Sequence, residues 1–528
     1  MPLTPLRPNK SPRKSAASQV AMLRMSPAPV GGLNYRDSIA AMPVQDALIL
    51  DNFIPKRTGA QLRAGWQYHT EALEESIPSL FSYNSSIGES KLFAASGGDI
   101  WDVTNETPVV SQAATGSDEN LWSTVQFSNN AGNFLLAVSP GAGYWTYDGS
   151  TWTQQSPNGL PADPTSVMVW KNRVWFTIKD SSEVYYMRDV DAITGHADPF
   201  EMGQMLRNGG HVCALINWTL DSGLGVDDYL VAVGTEGDVS VWQGTDPADP
   251  NDFGQKGVWY IGPVPKYGRF YTSYGGEVMI LSELGLIPVS RLVNGQFSAD
   301  LSQGPSAKVQ PVLSPLVTKL KDEAAFDLQI ITAQEILMVK LPPQGAVYQQ
   351  YAMNVGTGAW CSLSNMPIVS CCLFQNKFYF ATDDNRVAVG FTGELDQVET
   401  DGSVGQPVDG EMQPAFNPYD TPGQLKQFLM ARPIFIARQA PAIKARLNTQ
   451  YSTRNVAGFP SFVKGPSSEW DEGKWNLAQW SSLSSVYETW IGITGLGYYG
   501  SLRMRVRGLG GTTTFSSYHI MGQMGGVM

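Results

Sequence analysis

The sequence predicts an all-β protein whose main domain is a β-propeller of six to eight blades. Seven short apolar runs, rich in β-branched and aromatic residues, recur from about residue 80 to residue 391. Regular recurrence of this kind is typical of propellers and repeat arrays. Turn-forming residues follow several of the runs. The chain also contains 53 glycines and 34 prolines, which suit tight turns and disfavour long helices.

Each apolar run has the length of a strand and the composition of one buried on both faces. Consecutive runs start roughly 40–60 residues apart, which matches the size of a propeller blade. A series of unrelated hairpins in several sandwiches is the alternative that this pattern leaves open. The runs are Lys91–Ser96, Phe134–Ser139, Arg173–Ile178, Tyr229–Gly234, Glu277–Ser282, Ile336–Leu341 and Lys377–Thr382.

Short turn sequences connect four of these runs to a second apolar run. Glycine, aspartate and asparagine tolerate the left-handed backbone conformations that hairpin turns require. Each such pair of runs is therefore predicted to form a hairpin within one blade. The turns are Gly97-Gly98-Asp99, Gly141-Ala142-Gly143, Glu236-Gly237-Asp238 and Asp383-Asp384-Asn385.

The composition on either side of the runs divides the chain into four segments. We predict an extended basic arm over residues 1–45, the propeller over 46–400, a linker over 401–424 and a C-terminal β domain over 425–528. Residues 1–36 hold six Lys or Arg, several prolines and no acid. A disordered tail and an arm that becomes ordered on an acidic neighbour both fit this composition.

The net charge argues against a protein that grips nucleic acid. The whole chain has a formal charge of 36 − 48 = −12, and residues 37–528 have −12 − 6 = −18. Phosphate neutralisation by basic side chains drives binding to nucleic acid, so a repressor or nuclease should be basic. An acidic conduit through which DNA slides without sticking remains compatible with this charge.

No catalytic, cofactor or metal motif stands out, and we predict that the protein is not an enzyme. The four histidines are scattered, and the four cysteines form no C-x-x-C and are expected to be buried free thiols. Gly495-Leu496-Gly497-Tyr498-Tyr499-Gly500 matches G-x-G-x-x-G. A dinucleotide fingerprint needs a helix after it, whereas a strand is predicted here. The stretch is therefore interpreted as a turn.

An arginine stripe lies in the C-terminal part. Residues 502–507 alternate strictly, so Arg503, Arg505 and Arg507 share one face of a predicted strand. These side chains could contact phosphates or an acidic neighbouring subunit. Alternatively, they form local salt bridges.

A longer motif begins inside the predicted arm and continues beyond it. It begins Val30-Gly31-Gly32-Leu33-Asn34-Tyr35-Arg36-Asp37 and continues with Met42-Pro43, Asp46-Ala47, Leu50-Asp51-Asn52-Phe53-Ile54-Pro55 and Leu62-Arg63-Ala64-Gly65-Trp66. This pattern resembles the opening of the tail nozzle proteins of short-tailed bacteriophages, also called packaged-DNA stabilisation or tail tubular proteins. Two later phrases, Met430–Phe435 and Trp470–Trp475, are similar to the same group. The resemblance covers roughly residues 29–66 and 425–480.

The resemblance implies a structural virion protein in the phage tail, made in the cytoplasm of the bacterial host. Such a nozzle is a ring, usually a homohexamer, that extends and closes the DNA ejection channel below the portal and adaptor. The implied partners are other copies of this chain, the tail adaptor protein, tail fibre, spike or needle proteins, and genomic DNA passing through the lumen. No cofactor and no membrane segment are implied.

Several residues are candidates for assembly contacts. The basic arm should contact an adjacent subunit or the adaptor, and Arg36 and Asp37 should pair with one another or across a subunit boundary. Gly31 and Gly32 should allow a sharp bend as the chain leaves the arm. The full candidate set is Arg7, Lys10, Arg13, Lys14, Arg24, Gly31, Gly32, Arg36, Asp37, Arg503, Arg505 and Arg507.

Two other functions remain open at this point. The chain could be another tail or baseplate protein that anchors fibres or spikes. It could also be a propeller that binds or degrades polysaccharide, with two carboxylates contributed by different blades.

Overall fold

The computed structural model describes residues 21–85, 88–117, 119–221, 226–266, 268–294, 304–322, 326–345, 347–403, 405–464 and 484–525. Within these ranges the chain forms 41 β-strands and two short α-helices. The predicted all-β class is confirmed. None of the helices in the described ranges has the length and apolar character needed to cross a bilayer.

Six strands precede the first full blade, and only the last of them belongs to the propeller. They are β1 (Ala21–Pro27), β2 (Gly32–Leu33), β3 (Asp46–Asp51), β4 (Phe53–Pro55), β5 (Ala60–Leu62) and β6 (Trp66–Tyr68).

Four antiparallel sheets follow, and each is built from four consecutive strands. The first contains β7 (Ser79–Tyr83), β8 (Lys91–Ser96), β9 (Asp99–Asp102) and β10 (Val109–Gln112). The second contains β11 (Ser123–Asn129), β12 (Gly132–Ser139), β13 (Gly143–Tyr147) and β14 (Trp152–Gln155). The third contains β15 (Pro164–Trp170), β16 (Arg173–Ile178), β17 (Glu183–Met187) and β18 (Ala197–Glu201). The fourth contains β19 (Val212–Asp221), β20 (Val226–Gly234), β21 (Asp238–Gln243) and β22 (Gly254–Tyr260).

The second half of the propeller is less regular. A short strand, β23 (Gly268–Arg269), precedes a three-stranded sheet of β24 (Tyr271–Tyr274), β25 (Glu277–Ser282) and β26 (Gly285–Pro288). Helices α1 (Val289–Val293) and α2 (Gln310–Leu320) come next. They are followed by β27 (Phe326–Ile331), β28 (Ile336–Lys340), β29 (Gln350–Asn354) and β30 (Trp360–Leu363). The last propeller strands are β31 (Ser370–Phe374), β32 (Lys377–Ala381) and β33 (Val387–Gly390).

The propeller is closed by pairing between distant parts of the chain. Strand β6 pairs antiparallel with β33, with Tyr68 opposite Ala388 and Trp66 opposite Gly390. An early strand therefore supplies the outer strand of the last blade, and backbone hydrogen bonds close the ring.

The seven apolar runs are confirmed as strands of the propeller. They coincide with or lie almost entirely within β8, β12, β16, β20, β25, β28 and β32. Each of these is the second strand of its group. Six groups are separate sheets, whereas β27–β30 continue into a larger sheet. A propeller of six to eight blades is therefore confirmed.

The remaining strands build two sheets beside the propeller. They are β34 (Leu395–Asp396), β35 (Gln406–Pro414), β36 (Lys426–Ala437), β37 (Ala442–Thr449), β38 (Ser485–Glu488), β39 (Ile491–Gly497), β40 (Gly500–Gly508) and β41 (Thr514–Met524). The seven-stranded sheet has the order β38-β36-β41-β5-β4, with β1 paired to β41 and β39 paired to β36. The eleven-stranded sheet runs β23-β27-β28-β29-β30-β3-β35-β40-β37, with β2 on β3 and β34 on β35.

Two predicted boundaries are wrong. The linker predicted over 401–424 contains β35, which lies between β3 and β40 because Val408, Gly410 and Met412 face the core. The propeller predicted over 46–400 begins later, since β3 and β5 pair with the C-terminal strands β35 and β41, and β4 pairs with β5. Part of the predicted arm, β1, also belongs to a C-terminal sheet.

One continuous core joins the propeller to the C-terminal sheets. It contains blade residues such as Val231, Leu328 and Phe378 together with Met412 and Phe435 from the C-terminal strands. All four cysteines are free thiols. Cys371 and Cys372 are adjacent on β31 and lie in different core clusters.

Candidate functional site

The glycine pair at the start of the motif is packed against the chain itself. Gly32 has a φ of 76°, and a Cβ there would lie 2.5 Å from the backbone nitrogen of Trp360. A Cβ on Gly31 would lie 2.0 Å from Asp46 Oδ1. Both positions therefore exclude a side chain, and Gly32 also needs a left-handed conformation. The chain turns at Val30–Gly31 after β1, as the predicted bend requires.

The asparagine of the motif holds two carboxylates together. Asn34 Nδ2 donates to Asp37 Oδ2 at 2.8 Å and to Asp46 Oδ2 at 2.7 Å. Its Oδ1 accepts the backbone N–H groups of Arg36 and Asp37. Lys308 Nζ lies 2.8 Å from Asp46 Oδ1 and donates to the Gly31 carbonyl at 3.0 Å. These contacts fasten the motif to the segment before α2.

A second group of motif residues lies deeper. Asn52 is fully buried and has a φ of 58°, a conformation that asparagine tolerates better than most residues. Its Oδ1 accepts Arg63 Nε and the Ser364 N–H, both at 2.9 Å. Its Nδ2 donates to the Asp409 carbonyl at 2.7 Å.

A buried ion pair completes this group. Arg63 is fully buried and donates from Nη1 and Nη2 to the two carboxylate oxygens of Asp396, both at 2.7 Å. Ser362 and Ser364 donate to Asp51 at 2.8 and 2.5 Å. We call Asp51, Asn52, Arg63, Ser364 and Asp396 the polar joint, because they connect β3 and the segment after β5 to β34 and to the chain after β30.

Carboxylates inside and outside the joint have opposite pKa shifts. Burial raises the pKa of Asp51, although hydrogen bonds from Ser364 and Ser362 oppose this shift. The hydrogen bond from Arg36 lowers the pKa of the partly buried Asp37. Arg36 Nε lies 2.9 Å from Asp37 Oδ1, so these two residues pair with one another within the chain.

The arginine stripe is neutralised mainly within the chain. Arg503 Nε donates to Glu411 Oε1 at 2.6 Å, and Arg505 Nε donates to Glu411 Oε2 at 3.0 Å. Arg507 Nη2 donates to Asp409 Oδ2 at 2.7 Å. The acids come from β35, which pairs with β40. The local salt bridges that the sequence left open are therefore present.

The other candidate residues fall into two groups. Arg24 Nε lies 3.2 Å from Asp420 Oδ2, and both side chains are exposed. Arg7, Lys10, Arg13 and Lys14 lie outside the described residues, as do Trp470–Trp475 of the resemblance.

In the part of the chain that the structure describes, no group of three or more His, Cys, Asp or Glu side chains is arranged to hold a metal ion. The G-x-G-x-x-G stretch joins β39 to β40, so it connects two strands and precedes no helix. Burial lowers the pKa of His69 and of His211.

Sequence reasoning missed the partners of the motif. Lys308, Ser364, Asp396 and Asp409 lie far from it in sequence, and no spacing marks them. One signal was present: Arg63 stands between Leu62 and Ala64 in an apolar stretch. An arginine buried there requires an acidic partner.

The chain is similar to several solved structures, at low sequence identity. No family model matches the chain, and no curated protein matches it. Among solved structures, the chain is similar to the WD40 β-propeller domain of Doa1, with 9% identity, a TM-score of 0.39, and 62% of this chain and 96% of that chain covered. For BBS1N in complex with ARL6DN the identity is 10% and the TM-score 0.40, with 62% of this chain and 97% of that chain covered. For Saccharomyces cerevisiae Sqt1 the identity is 10% and the TM-score 0.33, with 62% of this chain and 99% of that chain covered.

Proposed function

We propose that this chain is a structural virion protein that forms the ring-shaped tail nozzle of a short-tailed phage. In this role it extends and closes the DNA ejection channel below the portal and adaptor. It acts through its shape, its charge and its contacts with other copies, and it makes or breaks no covalent bond.

The position of the motif residues carries the proposal. The stretch that resembles nozzle proteins supplies Asn52 and Arg63, and both are hydrogen-bonded to Ser364, which follows β30. Arg63 also donates to Asp396 of β34, and Asn52 donates to the Asp409 carbonyl of β35. These hydrogen bonds tie the end of the β27–β30 group to the C-terminal strands. The polar side-chain groups of these residues are hydrogen-bonded within the chain. We infer that the motif serves the architecture of the protein rather than ligand binding. A segment with this role is expected in a protein that must withstand force as one rigid body.

The electrostatics suit a conduit. The side chains of the arginine stripe could bind phosphate if they were free, but they form salt bridges with Asp409 and Glu411. The chain keeps a formal charge of −12, and a ring of copies multiplies that charge. An acidic lumen repels phosphate and discourages DNA from adhering during ejection.

Cryo-electron microscopy of the virus particle that carries this chain tests the proposal. We expect density for a propeller joined to two further sheets, repeated around the path by which the genome leaves. Density at a peripheral fibre or baseplate position would contradict the nozzle assignment. Absence of the chain from purified particles would contradict any virion role.

A separate assay addresses the polysaccharide alternative. Purified chain is incubated with surface polysaccharide of the bacterial host, and the product length is measured by size-exclusion chromatography. We expect no shortening, because the proposed nozzle acts through its shape and charge and breaks no covalent bond. Shortening of the polysaccharide by an activity that copurifies with this chain would overturn the proposal that the chain is not an enzyme.

A further inference from the structure

The seven-stranded C-terminal sheet has one buried face and one open apolar face. On β1 and β36 the buried side chains include Met22, Phe428 and Phe435, while the alternate residues point outward. The outward side chains include Leu23, Met25, Ile436, Val486 and Leu496, which are 54%, 63%, 40%, 63% and 60% exposed.

Strand register places these side chains on one continuous surface. Leu23 lies opposite Met521, which lies opposite Met430. Ile436 lies opposite Val486 at one edge, and Leu496 lies opposite Gln427 at the same side of β36. We call the set Leu23, Met25, Met430, Ile434, Ile436, Val486, Leu496 and Met521 the outer sheet face.

The charged groups on this face are partly neutralised by one another. Arg432 Nη1 lies 3.4 Å from Glu488 Oε1, and Arg432 Nη2 donates to His519 Nδ1 at 2.7 Å. The guanidinium also lies 5.1 Å from the ring centre of Trp490. On a body whose residues 37–528 have a charge of −18, this face carries little net charge. Another acidic protein surface can therefore approach it without strong repulsion.

We propose that the outer sheet face is the docking surface for a second copy of this chain. This inference rests on the ring put forward above and names the surface that builds it. Contiguous exposed apolar patches are typical of protein–protein interfaces. Here the face lies on a rigid sheet, so it is preformed for docking.

The residues that precede β1 favour a second copy over other occupants. Residues 1–20 contain four Lys or Arg and no acid, and they join the described structure at Ala21, on the edge of this face. Twenty residues can span at most roughly 66–72 Å, so they can extend well beyond the strand from which they start. The acidic body of that copy is electrostatically complementary to them.

A ring places different surfaces of two copies in contact, so one substitution on the face should weaken every contact in the ring. We expect Val486→Asp and Leu23→Asp each to raise the concentration needed for half-assembly at least about tenfold, since an unpaired carboxylate would be buried. Val190→Asp is the matched control, because Val190 is 51% exposed on the third blade, away from this sheet.

Light scattering coupled to size-exclusion chromatography measures the mass of full-length wild type and of each variant. Circular dichroism and thermal unfolding check that the variants are folded. Rings in wild type and V190D but loss of rings in folded V486D and L23D would support the proposal. Unchanged rings in V486D and L23D, or equal loss in V190D, would overturn the docking surface and leave the ring intact. Wild type that stays monomeric would contradict the ring itself.

Discussion

The polar joint and the outer sheet face reverse the usual arrangement of a soluble protein. At the joint, an arginine and its carboxylate partner are buried, with Arg63 and Asp396 bound through two hydrogen bonds. On the outer sheet face, Met25 and Val486 are each 63% exposed. The first arrangement costs desolvation and requires a fixed geometry. The second arrangement leaves apolar side chains in water, which is unfavourable in free energy unless another surface covers them.

The difference separates what holds one chain together from what can hold chains to each other. Charge buried at the joint is satisfied within the chain, so it contributes to the uniqueness of this fold. Apolar groups on the sheet face are not satisfied within the described structure. We therefore expect substitutions at the joint to change stability and substitutions on the face to change assembly.

The largest loss of stability is expected at the buried ion pair. Arg63→Ala leaves the Asp396 carboxylate buried without its partner and should lower the free energy of unfolding by about 3–5 kcal/mol. Chemical denaturation followed by tryptophan fluorescence measures this. Arg36→Ala is the matched control, since Arg36 pairs with Asp37 at the surface, where a pair contributes about 0–1 kcal/mol. Similar losses in both variants would contradict the account of the joint.

The next largest effect is expected at Gly32. Gly32→Ala adds a Cβ 2.5 Å from the Trp360 nitrogen at a positive φ, and the conformation alone costs about 1–2 kcal/mol. Thermal unfolding should show a clear drop in melting temperature. Gly423→Ala is the control, because a Cβ there meets nothing within 4 Å. A melting temperature for G32A equal to that of G423A would mean that the turn does not pack as described.

A smaller contrast separates the two faces of the seven-stranded sheet. Ile520→Val removes a methylene from the buried face, where Ile520 is fully buried, and should cost about 0.5–1.5 kcal/mol. The same substitution at Ile436, on the outer sheet face, should change the free energy of unfolding of a monomer by less than about 0.5 kcal/mol. Denaturant titrations of the two variants at low protein concentration make the comparison. Equal losses in the free energy of unfolding for the two variants would mean that Ile436 is buried in the monomer.

The smallest effects are expected from protonation, and their signs differ between the regions. Burial raises the pKa of Asp51, so its contribution is fully present at low pH and is lost as pH rises through the folded-state pKa. Asp51→Asn should therefore gain stability relative to wild type as pH rises from about 4 to 7. The pKa of Asp37 is lowered, so its contribution is present above the ordinary aspartate range and is lost as pH falls. Asp37→Asn should gain stability relative to wild type as pH falls below about 4, so the titration is extended into that range. Parallel curves for the two variants would contradict these assignments.

The sequence was sufficient for the blades because their strands are local. Lys91–Ser96 and Arg173–Ile178 each pair with the strands next to them in sequence, so composition and nearby turns contain most of the information. The closure of the propeller through Trp66–Tyr68, within one chain, was not predicted. A three-residue strand that pairs with Val387–Gly390 leaves no local pattern.

The polar region over 401–424 misled the prediction for a physical reason. Strand β35 alternates Val408, Gly410 and Met412 inward with Asp409 and Glu411 outward. Its acids and prolines gave it the composition of a linker. Their role is visible only beside β40, whose arginines they neutralise. Pairing across nearly one hundred residues decides this element, and a single sequence does not contain that pairing.

Electron-microscope images of the purified full-length chain test the central claim most directly. Class averages at micromolar concentration should show a closed ring of several copies around a central opening, with the outer sheet face of each copy against a different surface of the next. Particles the size of one chain, unchanged as the concentration is raised, would contradict the account.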